Sequence, residues 1–277
     1  MNKQLFALTV CSMMALGSMA DTTPVWKDPV VNQQNREPRR ANFFAYEDIN
    51  LSRQADKTRS NRYLSMEGKW KFNFVVNHNE RPKDFFKTNF DDSQWTDFTL
   101  PGLFEIKGYG DRTYRNSGYA FNTTFTPDPP YISEENNYTG SLRRTFDLPA
   151  DWKGDDVYFH VGSATSNLML WINGKYVGYS EDSKVAAEFN ITKYLKPGRN
   201  LIAMQIMRWC DGSYLEDQDF WRFTGVAREV YLYARPKVHV EDINIKQDLT
   251  DGFKTGRLTC DVDLKGAKNV EVTFLLC

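Results

Sequence analysis

Cysteine is scarce in this 277-residue chain, with four in all, at Cys11, Cys210, Cys260 and Cys277. None of them shares the short spacing of a zinc site, and the three beyond residue 20 make an odd number, so no disulfide framework is indicated. Histidine is rarer still. His78, His160 and His239 stand singly, and neither a zinc site nor a histidine-based nucleophile arrangement can be built from that spacing. An excess of one charge is missing as well, with 35 Lys plus Arg against 36 Asp plus Glu. A net charge of −1 gives no electrostatic footprint for nucleic acid or an anionic membrane, so neither is an expected partner. After the first twenty residues no apolar run reaches the ~20 residues of a membrane span. No long amphipathic helical period occurs either.

Aromatic residues are plentiful, with 7 Trp, 14 Tyr and 19 Phe making up 14% of the chain, a content that leans toward β-structure and sugar contact. The length suffices for one large domain and part of another. The first residues read as a secretory signal: Lys3, an apolar run from Leu5 to Leu16, then Ser18-Met19-Ala20 with small residues where a signal peptidase needs them. Cleavage after Ala20 is expected, with export to the periplasm of a Gram-negative host. Lipidation at Cys11 is the weaker reading, because Val10 is larger than the small residue that normally precedes a lipidated cysteine.

Four segments follow from the patterning: a signal over 1–20, a wrapping segment over 21–60, a β-sandwich over 61–235, and the start of a second sandwich over 236–277. Residues 21–60 are rich in Asn, Arg and Pro and lack a period, so they are expected to run over the surface. From Lys69 the pattern changes, with Trp70, Phe72 and Phe74 alternating with Lys71 and Asn73, the two-residue period of a half-buried strand. Further short runs at 141–147, 156–161, 167–172, 176–180, 200–208 and 228–233 give an all-β sandwich rhythm. Asn173-Gly174 supplies the two positive φ angles of a tight hairpin. Ala187 to Leu195 is read as holding one short helical turn. Past Arg235-Pro236, three strands are expected, around Val238–Ile245, Leu258–Leu264 and Val270–Leu276. An immunoglobulin-like domain needs ~100 residues and seven strands, so this second sandwich is incomplete.

Two loops carry the residues best suited to chemistry. RWCDGSYLEDQDFWRFTG, residues 208–225, sets Asp211, Glu216, Asp217 and Asp219 among Trp209, Tyr214, Phe220 and Trp221. Carboxylates accept from sugar hydroxyls and aromatic rings pack on pyranose faces, although a solvated acidic loop over core aromatics has the same composition. GYGDRTYRNSGYAF, residues 108–121, offers Asn116, both donor and acceptor, between Tyr114 and Tyr119; a glycine-rich turn explains it equally well. Two carboxylates in one loop do not establish the facing, ~5 Å geometry of a retaining glycosidase pair.

With WKDPVVNQQNREPRR, LSMEGKWKFNF, FDDSQW, the YRN loop, LWINGKYVGYSEDS and RWCDGSYLEDQDFWR in this order, the chain resembles the N-terminal region of the large bacterial β-galactosidases of glycoside hydrolase family 2. The related β-glucuronidases and β-mannosidases share the Asn-Gly hairpin framework, but the long acidic-aromatic run looks like the galactosidase branch. The resemblance implies a jelly-roll, galactose-binding-like β-sandwich followed by an incomplete immunoglobulin-like sandwich. It implies that Asn116 and Asp219 contact galactose hydroxyls in a pocket built mainly by a barrel absent from these residues, and that Asp219 helps hold a sodium ion. It implies a magnesium site at Asp28, Glu181 and Asp211, with Val25 standing where an aspartate is expected and Glu181 where a glutamine is usual. PGLFE, residues 101–105, departs from the usual PSNWQ. No catalytic residue is expected in this chain, since both catalytic glutamates belong to the barrel; the intact enzyme, expected as a homo-oligomer, would hydrolyse terminal β-galactosides with retention. A free-standing carbohydrate-binding module is the rival reading.

Overall fold

The computed structural model describes residues 23–216, 218–267 and 269–275. The expected signal, Cys11, Asp217 and Cys277 lie outside the described residues. In chain order the strands are β1 (Gln33–Gln34), β2 (Tyr63–Ser65), β3 (Gly68–Val75), β4 (Thr96–Leu100), β5 (Gly102–Leu103), β6 (Thr113–Arg115), β7 (Thr139–Leu148), β8 (Asp156–Val161) and β9 (Asn167–Ile172). They continue with β10 (Lys175–Glu181), β11 (Ala187–Asn190), β12 (Gly198–Met207), β13 (Phe220–Arg222), β14 (Gly225–Val226), β15 (Val230–Arg235), β16 (His239–Thr250) and β17 (Thr255–Lys265). A seven-stranded sheet ordered β1-β10-β9-β12-β7-β3-β4 packs on a four-stranded sheet ordered β11-β8-β15-β2, giving a β-sandwich.

Alternation builds the core between the sheets. Trp70 and Phe72 of β3 point inward while Lys69 and Lys71 point out. Leu168, Leu170 and Ile172 of β9 and Ile202, Met204 and Ile206 of β12 meet Val157, Phe159 and Val161 of β8 and Leu232 of β15. Each such side chain contributes about 1.5–3 kcal/mol of hydrophobic burial. The turn between β9 and β10 has Asn173 at φ 51° and Gly174 at φ 82°, with Ile172 opposite Lys175, as the Asn-Gly signal demands.

Two expectations need adjustment, and the short helical turn expected within 187–195 is located more closely. Residues before position 60, expected to run over the surface, also enter the structure: β1 pairs with β10, and Trp26, 3% exposed, joins Phe121, Ile132, Tyr179, Met207 and Trp209 in a second apolar cluster. A lone tryptophan carries no period, so pattern reading could not find it. Ala187–Asn190 is a strand on the edge of the smaller sheet, and the helical turn is confined to a 3-10 turn at Thr192–Tyr194. Beyond Arg235, β16 and β17 form one long hairpin, whereas the described part of the third expected strand, from Val270 to Leu275, pairs with nothing. An alternating sequence becomes a strand only when a neighbour supplies the ladder.

Candidate functional site

β6 and β13 form a two-stranded antiparallel ribbon separate from both main sheets. Its register pairs Thr113 with Arg222, Tyr114 with Trp221 and Arg115 with Phe220. Asn116 directly follows β6 and Asp219 directly precedes β13, so both leave the ribbon at the same end, its tip, although they stand 103 positions apart in the chain. Both are exposed. The Tyr114 hydroxyl donates to Asp219 Oδ1 at 2.6 Å, and this bond to a carboxylate raises the Tyr114 pKa. Tyr114 and Trp221 lie with ring centroids 5.7 Å apart, and Trp221 stacks on Phe223. The tip thus offers an amide, a carboxylate and flat apolar surface side by side, a combination able to hold sugar hydroxyls and a pyranose face.

The base of the ribbon is pinned. Arg208 Nη2 donates to Thr113 Oγ1 at 2.7 Å and to the Asp111 carbonyl at 3.3 Å, and the Tyr138 hydroxyl donates to Asp111 Oδ2 at 2.5 Å. Arg222 donates to the Glu216 and Gln218 carbonyls and lies over the Phe220 ring, which holds the loop ahead of Asp219.

The other acids of the 208–225 run do different work. Glu216 accepts from the Ser183 amide at 2.7 Å and from its hydroxyl, so it clasps a neighbouring loop. Tyr214 donates to the Tyr131 carbonyl at 2.7 Å and packs edge-on against Phe121, and Trp209 is core. Much of the acidic-aromatic composition therefore serves packing, and Asp219 is the carboxylate at the ribbon tip.

Asp211 belongs to a second, buried group. Its carboxylate, that of Glu181 and the Cys210 thiol place one possible ligand atom each within 4.8 Å of one another. Burial first, and then the Asp211 charge, pushes Glu181 up to about 8, even though the Tyr179 hydroxyl donates to it at 2.7 Å. Burial also raises Asp211, and the charge of Asp28 adds to that shift. Asp28 stands outside the tight trio, half-buried, with one oxygen accepting the Val30 amide at 3.1 Å. Asp211 Oδ1 is buried without a hydrogen-bond partner. Two buried carboxylates and an orphaned oxygen fit a hard cation, which would remove the mutual repulsion that raises both pKa values. Cys210 was not singled out from sequence, although it adjoins Asp211; its thiol is fully enclosed, donates to the Ser166 carbonyl, and is pushed far up by burial.

Comparison with known proteins agrees with this architecture. A β-galactosidase of Priestia megaterium is 37% identical over 246 residues, covering 88% of this chain and 24% of its own length. A β-galactosidase of Streptococcus thermophilus is 40% identical over 207 residues, covering 75% and 20% respectively. The chain thus spans about a quarter or less of these two relatives' length. Among solved structures, a β-glycosidase from Bacteroides vulgatus superposes with a TM-score of 0.54 at 21% identity, covering 74% of this chain and 24% of its own. A β-glucuronidase from glycoside hydrolase family 2 does so with a TM-score of 0.55 at 20% identity, covering 73% and 22%. At those identities the likeness is one of fold. Residues 63–236 match the description "Glycosyl hydrolases family 2, sugar binding domain", and the chain belongs to that family.

Proposed function

We propose that this chain is the non-catalytic, sugar-positioning front part of an exported β-galactosidase whose barrel supplies the acid/base and nucleophile. The observation that supports the reading is the ribbon, whose pairing of β6 with β13 brings the loops bearing Asn116 and Asp219 to one end and lets the Tyr114 hydroxyl donate to Asp219. The names of the most similar relatives supply the substrate class. In this reading the two side chains orient galactose hydroxyls against the barrel carboxylates, and orientation lowers the barrier without either residue entering the bond-breaking step. Hydrolysis itself, with retention through a covalent intermediate, belongs to the barrel pair. Asp219 would contribute one ligand to a sodium ion shared with the barrel. Asp211 and Glu181, with Asp28 nearby, would hold a magnesium ion, which would supply neutralisation of their buried charge.

Calorimetric titration of the 277-residue chain with galactose separates this from a free-standing carbohydrate-binding module. A pocket lacking its barrel walls binds only in the millimolar range or weaker, about −4 kcal/mol at best. Micromolar affinity would favour the module instead. A relative named β-galactosidase large subunit, from Leuconostoc lactis, is 31% identical over 251 residues. It motivates a second measurement: β-galactosidase activity after mixing this chain with a separately produced barrel-containing remainder.

A further inference from the structure

Glu105 is the most deeply buried carboxylate among the described residues, 1% exposed, and nothing above assigns it a task. It opens a 3-10 turn at Glu105–Lys107, between β5 and β6. Its two oxygens divide one partner between them: Oε2 accepts the Thr224 amide at 2.7 Å and Oε1 accepts the Thr224 hydroxyl at 2.8 Å. The neighbouring Phe104 amide donates to the Thr224 carbonyl at 2.8 Å, so two consecutive residues hold all of the polar atoms of Thr224. Just beyond it, Gly225 pairs with Leu103 across β5 and β14.

The position of this grip matters more than its strength. Thr224 comes two residues after the end of β13, and Glu105 comes eight residues before β6 begins. Between Glu105 and β6 the backbone is set by Gly108 and Gly110, both at positive φ, and the Tyr138 ring occupies the space where a side chain at Gly110 would stand. The grip therefore closes the base of the β6–β13 ribbon from both of its strands, at the end opposite the tip. No salt bridge to Glu105 is formed among the described residues; burial pushes its pKa up, and the Thr224 hydrogen bonds, with a smaller contribution from the Arg208 charge, oppose that shift. A buried acid whose hydrogen bonds from one neutral residue hold that residue at two points acts through geometry.

We propose that Glu105 is a positioning residue for the sugar pocket, its two-point grip on Thr224 fixing the ribbon so that Asn116 and Asp219 meet the substrate together. The proposal rests on the reading of Asn116 and Asp219 as sugar contacts. An alanine at 105 leaves the Thr224 amide and hydroxyl buried without acceptors, and the ribbon gains freedom at its root. A glutamine keeps an acceptor for the amide and gives the hydroxyl a donor, since a threonine hydroxyl serves either role.

Amide hydrogen exchange on the 277-residue chain tests the grip without any sugar. Glu105→Ala and the milder Thr224→Val should both speed exchange over 111–116 and 219–224 while β7 and β12 stay protected, and Glu105→Gln should exchange like the parent. Unchanged exchange in both loosening variants overturns the grip. Kinetics on a chromogenic β-galactoside, in the longer polypeptide that includes the barrel, tests the positioning. Glu105→Ala should lower kcat/KM roughly ten-fold, mainly through KM, with Glu105→Gln restoring it. A loosened ribbon with unchanged kcat/KM, or a Gln variant as impaired as Ala, overturns the positioning role. Asp219→Ala runs alongside: if it too leaves kcat/KM unchanged, the sugar-contact reading has failed and the positioning role falls with it, while exchange still reports on the grip.

Discussion

The Tyr114 hydroxyl donates to Asp219 across the β6–β13 ribbon at 2.6 Å, although Tyr114 pairs in register with Trp221. The bond ties the carboxylate to one of the aromatic rings of the ribbon. In the complete enzyme, Asp219→Ala is expected to weaken transition-state binding by about 1–3 kcal/mol, the scale of a buried hydrogen bond left unmade. Tyr114→Phe keeps the ring and the carboxylate and loses only the orienting bond, so its loss should be the smaller of the two. Measured kcat/KM for both variants checks the order, and a Phe variant more impaired than the Ala variant would contradict it.

The strands of the sandwich were legible because alternation and turn chemistry are local: Trp70 and Phe72 against Lys69 and Lys71, and the Asn173-Gly174 turn. What sequence could not show was which acid does what. Asp211, Glu216 and Asp219 lie within nine residues, yet one faces a buried carboxylate, one clasps Ser183 and one stands at the ribbon tip. Those assignments depend on long-range partners such as Glu181, Ser183 and Tyr114. Glu105 stands in the unusual PGLFE stretch, but nothing local marks its role, since its partner lies 119 residues away.

The buried carboxylates at Glu181 and Asp211 predict a stabilising ion. Magnesium at a hundred times its dissociation constant should add about 2.7 kcal/mol to unfolding free energy, and Asp211→Asn should abolish most of that gain. Without the ion, Glu181 has the opposite pH behaviour from an ordinary surface acid. Its folded pKa, about 8, lies above the unfolded value of 4.5, so the neutral form favours folding: that contribution is full below pH 4.5 and is lost as pH rises through about 8. Glu181→Gln should flatten this slope in chelator and weaken the response to magnesium. Thermal melts across pH, with and without the ion, decide both points.

His78 works in the other direction. It is 2% exposed, edge-on to Trp26 at 4.7 Å and hydrogen-bonded to Thr139 Oγ1 at 3.0 Å. Burial, aided by the charges of Arg81, Lys27 and Lys83, lowers its pKa from 6.5 to about 3. The unfolded chain therefore takes up a proton first as pH falls. Stability from this group is full above pH 6.5 and drains away toward pH 3, at up to about 1.4 kcal/mol per pH unit. Urea unfolding between pH 7 and 4 should show that slope, and His78→Gln should be less stable at pH 7 but lose less on acidification.

The β16–β17 hairpin predicts how the isolated chain behaves in solution. Its register sets Ile243 opposite Val262, Ile245 opposite Cys260 and Gln247 opposite Leu258, so one face carries a ladder of apolar side chains. Ile245 and Leu258 are 58% and 59% exposed. A two-stranded ribbon with an exposed apolar face, whose outer edges pair with no other strand among the described residues, is a template for pairing with another copy. The 277-residue chain should therefore self-associate at micromolar concentration, and a doubly charged variant, Ile245→Lys with Leu258→Lys, should remain monomeric in sedimentation velocity. The same substitutions should leave the melting of the sandwich unchanged, because neither side chain enters its core. A parent chain that is monomeric at high concentration, or a variant that associates equally, would place the sticky surface elsewhere.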